Sequence, residues 1–212
     1  ISLRTLWPLN SDAWKQLLLG YGIALVAGQA MIGFYLAGNG FTSAHLSASA
    51  IASRLVIALV AALIVPLLEE TIFRGFLQTE LVGSLGWSTG WIFAAVIFMA
   101  VHFLKVPSEM DHQPVHFWSG VPALGAAFGS MANVADHGWF MLSLLLLGLT
   151  LGLTFQRSGT LWLNAGLHSG LVFIMLLFTG LTRPTEPPNV AFFRGDIQTN
   201  PPATNEAVEK LN

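Results

Sequence analysis

Apolar residues fall into five long segments along the chain, and polar or glycine-rich stretches separate them. The segments cover residues 16–37, 52–80, 91–104, 139–155 and 161–181. About 20 apolar residues in a helix cross the hydrocarbon core of a bilayer. Within lipid, backbone polar groups are satisfied only in helices or closed barrels. The pattern therefore predicts an all-α fold, a polytopic membrane helix bundle.

The remaining stretches are less regular. Residues 105–138 carry three prolines and three histidines, and their weakly apolar part, 121–134, predicts a re-entrant or interfacial segment. The bundle would then have about five to six membrane helices. Residues 182–212 contain five prolines and predict an extramembrane tail with little fixed structure. We therefore expect a transmembrane helical domain over 1–181 and a Pro-rich tail over 182–212.

Composition supports the membrane interpretation and excludes several function classes. The chain is 54% hydrophobic and 9% charged, whereas soluble domains carry about 25% charged residues. A net charge of −2 without a basic patch argues against nucleic-acid binding. The absence of cysteine excludes disulfides, thiolate metal ligands and a cysteine nucleophile.

Three charged residues, Glu69, Glu70 and Arg74, lie inside the second apolar segment, away from its ends. Charged groups at bilayer depth are rare, face a protein interior or a water-filled cavity, and usually mark function. Glu70 and Arg74 are four residues apart and lie on one helix face, so we expect them to pair. Glu69 lies about 140° around the helix from Arg74 and is predicted to do the chemistry. The alternative is an ion pair that only locks helix packing.

Two histidines are predicted to lie at the same depth as these carboxylates. At 1.5 Å per residue, Glu69 and Glu70 lie roughly 15 Å from the turn at 81–90. His102 lies about 18 Å beyond that turn, and His168 about 12 Å beyond the turn at 156–160. Provided that 105–138 makes no net crossing, three helices deliver these side chains into one slab.

Two histidines and a carboxylate at one level suggest either a metal site or a general-base cluster. Glu69, His102 and His168 form a normal zinc set with an open position for water. A bound divalent ion lowers the pKa of that water, and a nearby glutamate can take its proton. Without metal, Glu69 could activate water directly, with the histidines as oxyanion donors. The sequence leaves both alternatives open.

A second metal cluster is a weaker alternative in the irregular stretch. Pro114 spoils helical spacing there, and loop charges are normally solvated. The side chains concerned are Asp111, His112, His116, Asp136 and His137.

Three motifs resemble those of a known family. The run from Glu69 to Arg74 matches an EExxxR motif, Phe98 to His102 matches FxxxH, and residues 148–168 resemble the block that holds a second histidine. In this order they resemble the CPBP family of intramembrane metalloproteases, also called Abi, which includes CAAX prenyl proteases and bacteriocin-processing enzymes. The resemblance covers 66–176 and implies a four-helix catalytic core there.

The resemblance implies that Glu69, Glu70, Arg74, His102 and His168 are catalytic and that Glu69 activates water. It implies an intramembrane endopeptidase, with Zn²⁺ as the expected ion. The expected partners are a peptide or lipidated-protein substrate and membrane lipid, and the expected location is a bacterial inner membrane.

The chain departs from the family in two respects, a longer connection over 105–139 and a change in the last motif. The last motif is HxxxN or HxxxD, but residue 172 is Val172. Asn164, one turn before His168, is a candidate to supply the missing polar group. These departures favour an alternative, a catalytically silent subunit of a larger membrane complex. A carrier or channel is disfavoured, because no matching pair of broken helices is present.

Overall fold

A computed structural model describes residues 2–37, 41–103, 118–129 and 134–184. Helices dominate the described chain: α1 Leu3–Leu6, α2 Ala13–Ala37, α3 Ala48–Glu70, a π-helix Thr71–Gln78, α4 Thr79–Leu85, α5 Trp87–Val101, α6 Gly120–Gly129, α7 Val134–Ser158 and α8 Trp162–Leu181. Two short strands, β1 Phe41–Ser43 and β2 Thr182–Pro184, accompany them. The all-α prediction is confirmed.

Four described helical stretches are long and apolar enough to cross a membrane. They are Ala13–Phe34, Ala48–Leu85, Gly138–Ser158 and Trp162–Leu181. α5 is apolar but has only 15 residues, which is short of the length that spans a bilayer. Most of the predicted segments therefore correspond to helices of spanning length, and the third, with its short helix, does not.

The predicted turn over 81–90 is wrong. α4 continues to Leu85 and α5 begins at Trp87, so a single residue, Gly86, makes the connection with φ +82°. Gly90 stays helical because α5 passes directly over the backbone of α4. A Cβ on Gly90 would lie 2.5 Å from the carbonyl carbon of Leu81. The absence of a side chain at Gly90 permits this close packing. In the sequence, the same glycine had indicated a turn.

The second apolar segment is one long helix with an irregular centre. Ser47 begins it, and its Oγ accepts a hydrogen bond from the Ala50 amide. Pro66 lies inside α3, and the backbone widens into the π-helix directly after Glu70. Thr71 Oγ1 donates to the Leu67 carbonyl at 2.7 Å. Stretches of π-helix are rare and frequently mark functional sites.

Helix packing places the π-helix at the centre of the bundle. α3 packs mainly on α8, and α5 packs mainly on α7, while the π-helix contacts α5 and α7. α2 packs closely along α8 through glycines on both helices. The end of α3 therefore faces α8 on one side and α5 on the other.

The end of α8 departs from the predicted tail. Thr182–Pro184 forms β2, which pairs antiparallel with β1, and Phe41 lies opposite Pro184. Residues 185–212 lie outside the described residues, as do 104–117 and 130–133. α6 covers part of the predicted interfacial segment. The side chains of the weaker second metal cluster also lie outside the described set.

The α2–α8 contact gives a first testable prediction. A Cβ on Gly20 would meet the Leu163 carbonyl oxygen and lie 2.7 Å from the Leu167 amide nitrogen. Gly20→Ala is expected to cost about 1–3 kcal/mol by overpacking. Gly22→Ala is the matched control, since no described atom lies within 4 Å of its added carbon. Thermal unfolding in detergent should separate the two, and equal stabilities would contradict the packing described here.

Candidate active site

Glu70 is a fully buried carboxylate with three polar partners. Its Oε1 lies 3.3 Å from Arg74 Nη1 and 2.9 Å from His168 Nδ1, and its Oε2 accepts from Asn164 Nδ2 at 3.1 Å. A buried charge is tolerated only when it is paired and hydrogen-bonded. Glu70 therefore joins the end of α3 to α8 and, through Arg74, to the π-helix, and it holds the His168 ring in place.

Arg74 and Gln78 fix the π-helix to α7. Arg74 Nη2 donates to the Gly148 carbonyl at 3.3 Å, and Gln78 Nε2 donates to the Gly152 carbonyl at 3.0 Å. Both acceptors are glycines. A Cβ on Gly152 would lie 2.7 Å from Gln78 Oε1, so the missing side chain lets the Gln78 amide reach the α7 backbone. The Arg74 guanidinium also lies 4.2 Å above the Phe98 ring, a cation–π contact.

Glu69 points to a different place from Glu70. Its Oε2 lies 3.7 Å from His102 Nε2 and 3.7 Å from His168 Nε2. No described residue gives this oxygen a hydrogen bond. The side chains of Glu69 and His102 are 24% and 26% exposed, whereas that of His168 is 5% exposed. The three groups thus face one another across a gap. The side chains of Glu69 and His102 are partly exposed beside it, while Glu69 Oε2 itself is buried.

The partners of the two imidazoles determine where their protons lie. His102 Nδ1 lies 2.7 Å from the Phe98 carbonyl oxygen, and His168 Nδ1 lies 2.9 Å from Glu70 Oε1. Carbonyl and carboxylate oxygens only accept, so we assign the proton of each neutral ring to Nδ1. Each Nε2 lone pair then faces Glu69. Three acceptors around one gap require a proton donor or a cation between them.

The donor types fit a divalent cation. Neutral imidazole nitrogens and a carboxylate oxygen are normal zinc ligands, and metal-binding imidazoles usually donate their other N–H to a carbonyl or carboxylate, as both do here. Among the residues that the structure describes, no three such side chains are arranged to hold an ion directly. Their present spacing suits a water molecule, while their chemistry also suits the ion.

The structure thus brings together all five predicted site residues: Glu69, Glu70, Arg74, His102 and His168. Asn164 contacts Glu70 and, at 2.6 Å, the Leu151 carbonyl, so it supports the carboxylate and not the ring of His168. Sequence reasoning missed Gln78, although it follows Arg74 by four residues. It also missed Trp91, whose Nε1 donates to the Leu149 carbonyl at 2.9 Å, and no motif marked this residue.

Removing the amide of Asn164 should destabilise this cluster. Asn164→Leu leaves Glu70 Oε2 without its donor in a fully buried position, and we expect a loss of about 2–3 kcal/mol in unfolding free energy. Thr150→Ala is a suitable control, because that exposed hydroxyl bonds only its own helix; it should change stability by less than about 0.5 kcal/mol. Denaturant unfolding of the two variants in detergent tests the difference, and equal values would count against the Glu70 contact.

One comparison with known proteins identifies the chain. The family model described as type II CAAX prenyl endopeptidase Rce1-like matches residues 51–174. This range covers more than half of the chain and contains every side chain of the cluster. The chain belongs to the Rce1-like family. No curated protein and no solved structure matches it.

Membership of the Rce1-like family confirms the resemblance to CPBP membrane proteases that the motifs indicated. Together with the four apolar helices, it shows that this Rce1-like chain is an integral, multi-pass membrane protein. It also supports CAAX-type intramembrane protease activity in general. The roles of individual residues in this Rce1-like site, and the metal, stay predictions.

Proposed function

We propose that this protein is an intramembrane endopeptidase that hydrolyses a peptide bond in the prenylated C-terminal region of a protein substrate. The Rce1-like family supports the reaction class. The observation that carries the proposal is the position of Glu69 Oε2, 3.7 Å from the Nε2 atoms of both His102 and His168. A carboxylate beside two imidazoles is suited to activating water.

Glu69 and His102 form the basic side of the proposed mechanism. A water molecule in the gap donates to Glu69 Oε2 and to His102 Nε2, and Glu69 takes its proton as the oxygen attacks the scissile carbonyl carbon. The Phe98 carbonyl keeps the proton of His102 on Nδ1, so Nε2 remains an acceptor. Glu69 then returns the proton to the leaving amine.

His168 forms the opposite side of the mechanism. Glu70 is buried and accepts a hydrogen bond from His168 Nδ1 at 2.9 Å, which holds Nε2 on the side of the scissile carbonyl. When the ring carries a proton on both nitrogens, Nε2–H donates to the oxyanion that develops on that carbonyl, and such donors stabilise acyl-transfer transition states strongly. Arg74 and Asn164 hold Glu70 in position for this role.

We also propose an alternative form of the site, in which Glu69, His102 and a neutral His168 hold a divalent metal, Zn²⁺ by its preference for these donors. When bound, the ion supplies Lewis-acid polarisation of the carbonyl and makes water more acidic. Metal analysis of the purified protein tests this point. We expect about one equivalent of metal per protein in the wild type and less than about a tenth of an equivalent in His102→Ala. Equal metal contents in the two proteins would contradict a metal site at these residues.

A buried apolar core packs beside His102. The buried side chains of Phe98, Phe103 and Leu144 form a cluster between α5 and α7, and further partly buried hydrophobic residues pack against it: Phe73, Met99, Phe140, Met141 and Leu147. The Phe98 ring centroid lies 4.5 Å from that of His102. This core therefore holds the His102 ring in place, and the lipid on the substrate is proposed from the family description.

The proposal is tested by cleavage of matched peptides in detergent or liposomes. A farnesylated peptide ending in a CAAX sequence should be cleaved, and the same peptide without the lipid should be cleaved at least about tenfold more slowly. His102→Ala should lower kcat by about 100-fold, in the range for loss of a general acid or base. His45→Ala changes an exposed histidine outside the site and should match the wild type. Equal rates for both peptides would contradict the lipid preference.

Val172 favours one competing function, a silent relative that assembles with other membrane subunits. A wild-type protein that cleaves neither peptide and co-purifies in a larger assembly, insensitive to His102→Ala, would establish that alternative.

The bacterial inner membrane is proposed as the location, because the resembled family includes bacteriocin-processing enzymes. Membrane fractionation of the source cells tests it.

A further inference from the structure

Residues 2–10 lie outside the matched family region, yet they contact both elements that carry the candidate site. This stretch consists of α1 and the turn that leads into α2. It lies against the beginning of the π-helix and against the beginning of α8. We call residues 2–10 the N-terminal clamp.

The clamp holds the junction between α3 and the π-helix. Trp7 Nε1 donates to Thr71 Oγ1 at 3.2 Å, and Thr71 directly follows Glu70. Leu6 is buried and packs on Gly75, where an added Cβ would lie 2.8 Å from Leu6 Cδ1. The backbone that carries both carboxylates is therefore fixed from outside by the clamp.

The same residues hold the beginning of α8. Trp162 Nε1 donates to the Pro8 carbonyl at 2.9 Å, and the Leu161 amide donates to the Leu6 carbonyl at 3.0 Å. Trp7 and Trp162 meet edge to face, with ring centroids 4.8 Å apart. The Leu161 amide lies at a helix start, where backbone donors have no partner within the helix. The helix that carries His168 is thereby tied to the same segment.

We propose that Trp7 is a positioning residue, and that the N-terminal clamp sets the separation between the carboxylates and His168. The proposal rests on the proposed function. The Glu70–His168 bond of 2.9 Å and the Glu69–His168 distance of 3.7 Å each join one clamped element to the other. Catalytic rates are sensitive to misplacement of about 1 Å, so a tie that limits relative movement of the two helices acts on kcat.

The first test compares two tryptophans by kinetics. Trp7→Phe keeps an aromatic ring against Trp162 but removes the N–H, and kcat should fall about five- to tenfold while KM stays within twofold. Trp14→Phe makes the same change at a residue that is 57% exposed, and it should match the wild type. A change in KM alone, or equal kcat values for the two variants, would overturn the positioning role.

Thr71 supplies the matching half of the test. Thr71→Val removes the acceptor and should reproduce the loss of Trp7→Phe, and the double variant should be no slower than either single one. Thr71→Ser keeps the hydroxyl and should recover the rate. Losses that multiply in the double variant would show that the two residues act separately, and this result would contradict the clamp.

A second test needs no activity. The chain has no cysteine, so spin labels can be attached at Ile72→Cys on the π-helix and Met175→Cys on α8, which are 55% and 44% exposed. Trp7→Phe and Trp7→Ala should broaden the distance distribution between the labels, and the same changes at Trp14 should not. If the distance distribution broadens but the wild-type protein cleaves no peptide, the clamp is supported and the proposed function is contradicted. If the Trp7 variants leave the label distances unchanged and the wild-type protein cleaves the peptide, only the clamp is contradicted.

Discussion

Replacement of Glu69 by glutamine should lower kcat for the prenylated peptide by about 1,000-fold. The amide of glutamine has nearly the same shape as the carboxylate but cannot take a proton from water, and loss of a general base costs about 10²- to 10⁴-fold. Glu69 Oε2 receives no hydrogen bond from the described residues, so the fold should not depend on it. The thermal midpoint in detergent should therefore remain close to that of the wild type.

Glu80→Gln is the control for Glu69→Gln. Glu80 lies exposed on α4 of the same long helix, so the same chemical change there should leave kcat within twofold. If Glu69→Gln retained more than about a tenth of the wild-type kcat, another group would have to activate water. A loss of activity accompanied by unfolding would contradict the separation of Glu69 from the supporting cluster.

Glu70→Leu is expected to give the largest loss of stability. The change leaves Arg74 as a buried charge without its partner and removes the acceptor of His168 and Asn164. Breaking one member of a buried ion pair costs about 3–5 kcal/mol. Denaturant unfolding in detergent should show this loss, and kcat should fall as well because His168 is no longer held.

A double variant separates the two effects of Glu70. Adding Arg74→Met to Glu70→Leu removes the unpaired charge, and replacing a buried pair by apolar side chains is often neutral. Stability should therefore recover in part, while kcat should stay low because His168 Nδ1 still lacks its carboxylate. If stability and kcat both recovered, Glu70 would only neutralise Arg74, and its proposed role beside His168 would be contradicted.

The helices were predictable because the bilayer leaves few alternatives for apolar segments of this length. Their boundaries were less predictable where glycine serves packing and not a turn, as at Gly90. The π-helix could not be foreseen, since it depends on how Arg74 and Gln78 reach the carbonyls of α7. The pairing of Thr182–Pro184 with β1 joins distant residues, and no local pattern marks it.

The candidate site was predictable because its charged residues lie within apolar helical segments. The spacing of Glu70 and Arg74 predicted their pairing, and counting residues placed His102 and His168 at one depth with Glu69. The sequence could not show that Asn164 would contact Glu70, because that contact depends on how α3 and α8 cross. It also gave no sign of Trp7, whose contact with Thr71 spans 64 positions along the chain.

The most direct test of the central claim, that Glu69 activates water in the gap shared with His102 and His168, is a single turnover in H₂¹⁸O. Enzyme in excess over prenylated peptide is mixed in labelled water, and the new carboxylate of the product is analysed by mass spectrometry. Direct attack by water predicts one ¹⁸O atom in that carboxylate in the first turnover, and none on the same timescale with Glu69→Gln. A first-turnover product that carries unlabelled oxygen would indicate attack by a protein carboxylate, and it would contradict the account.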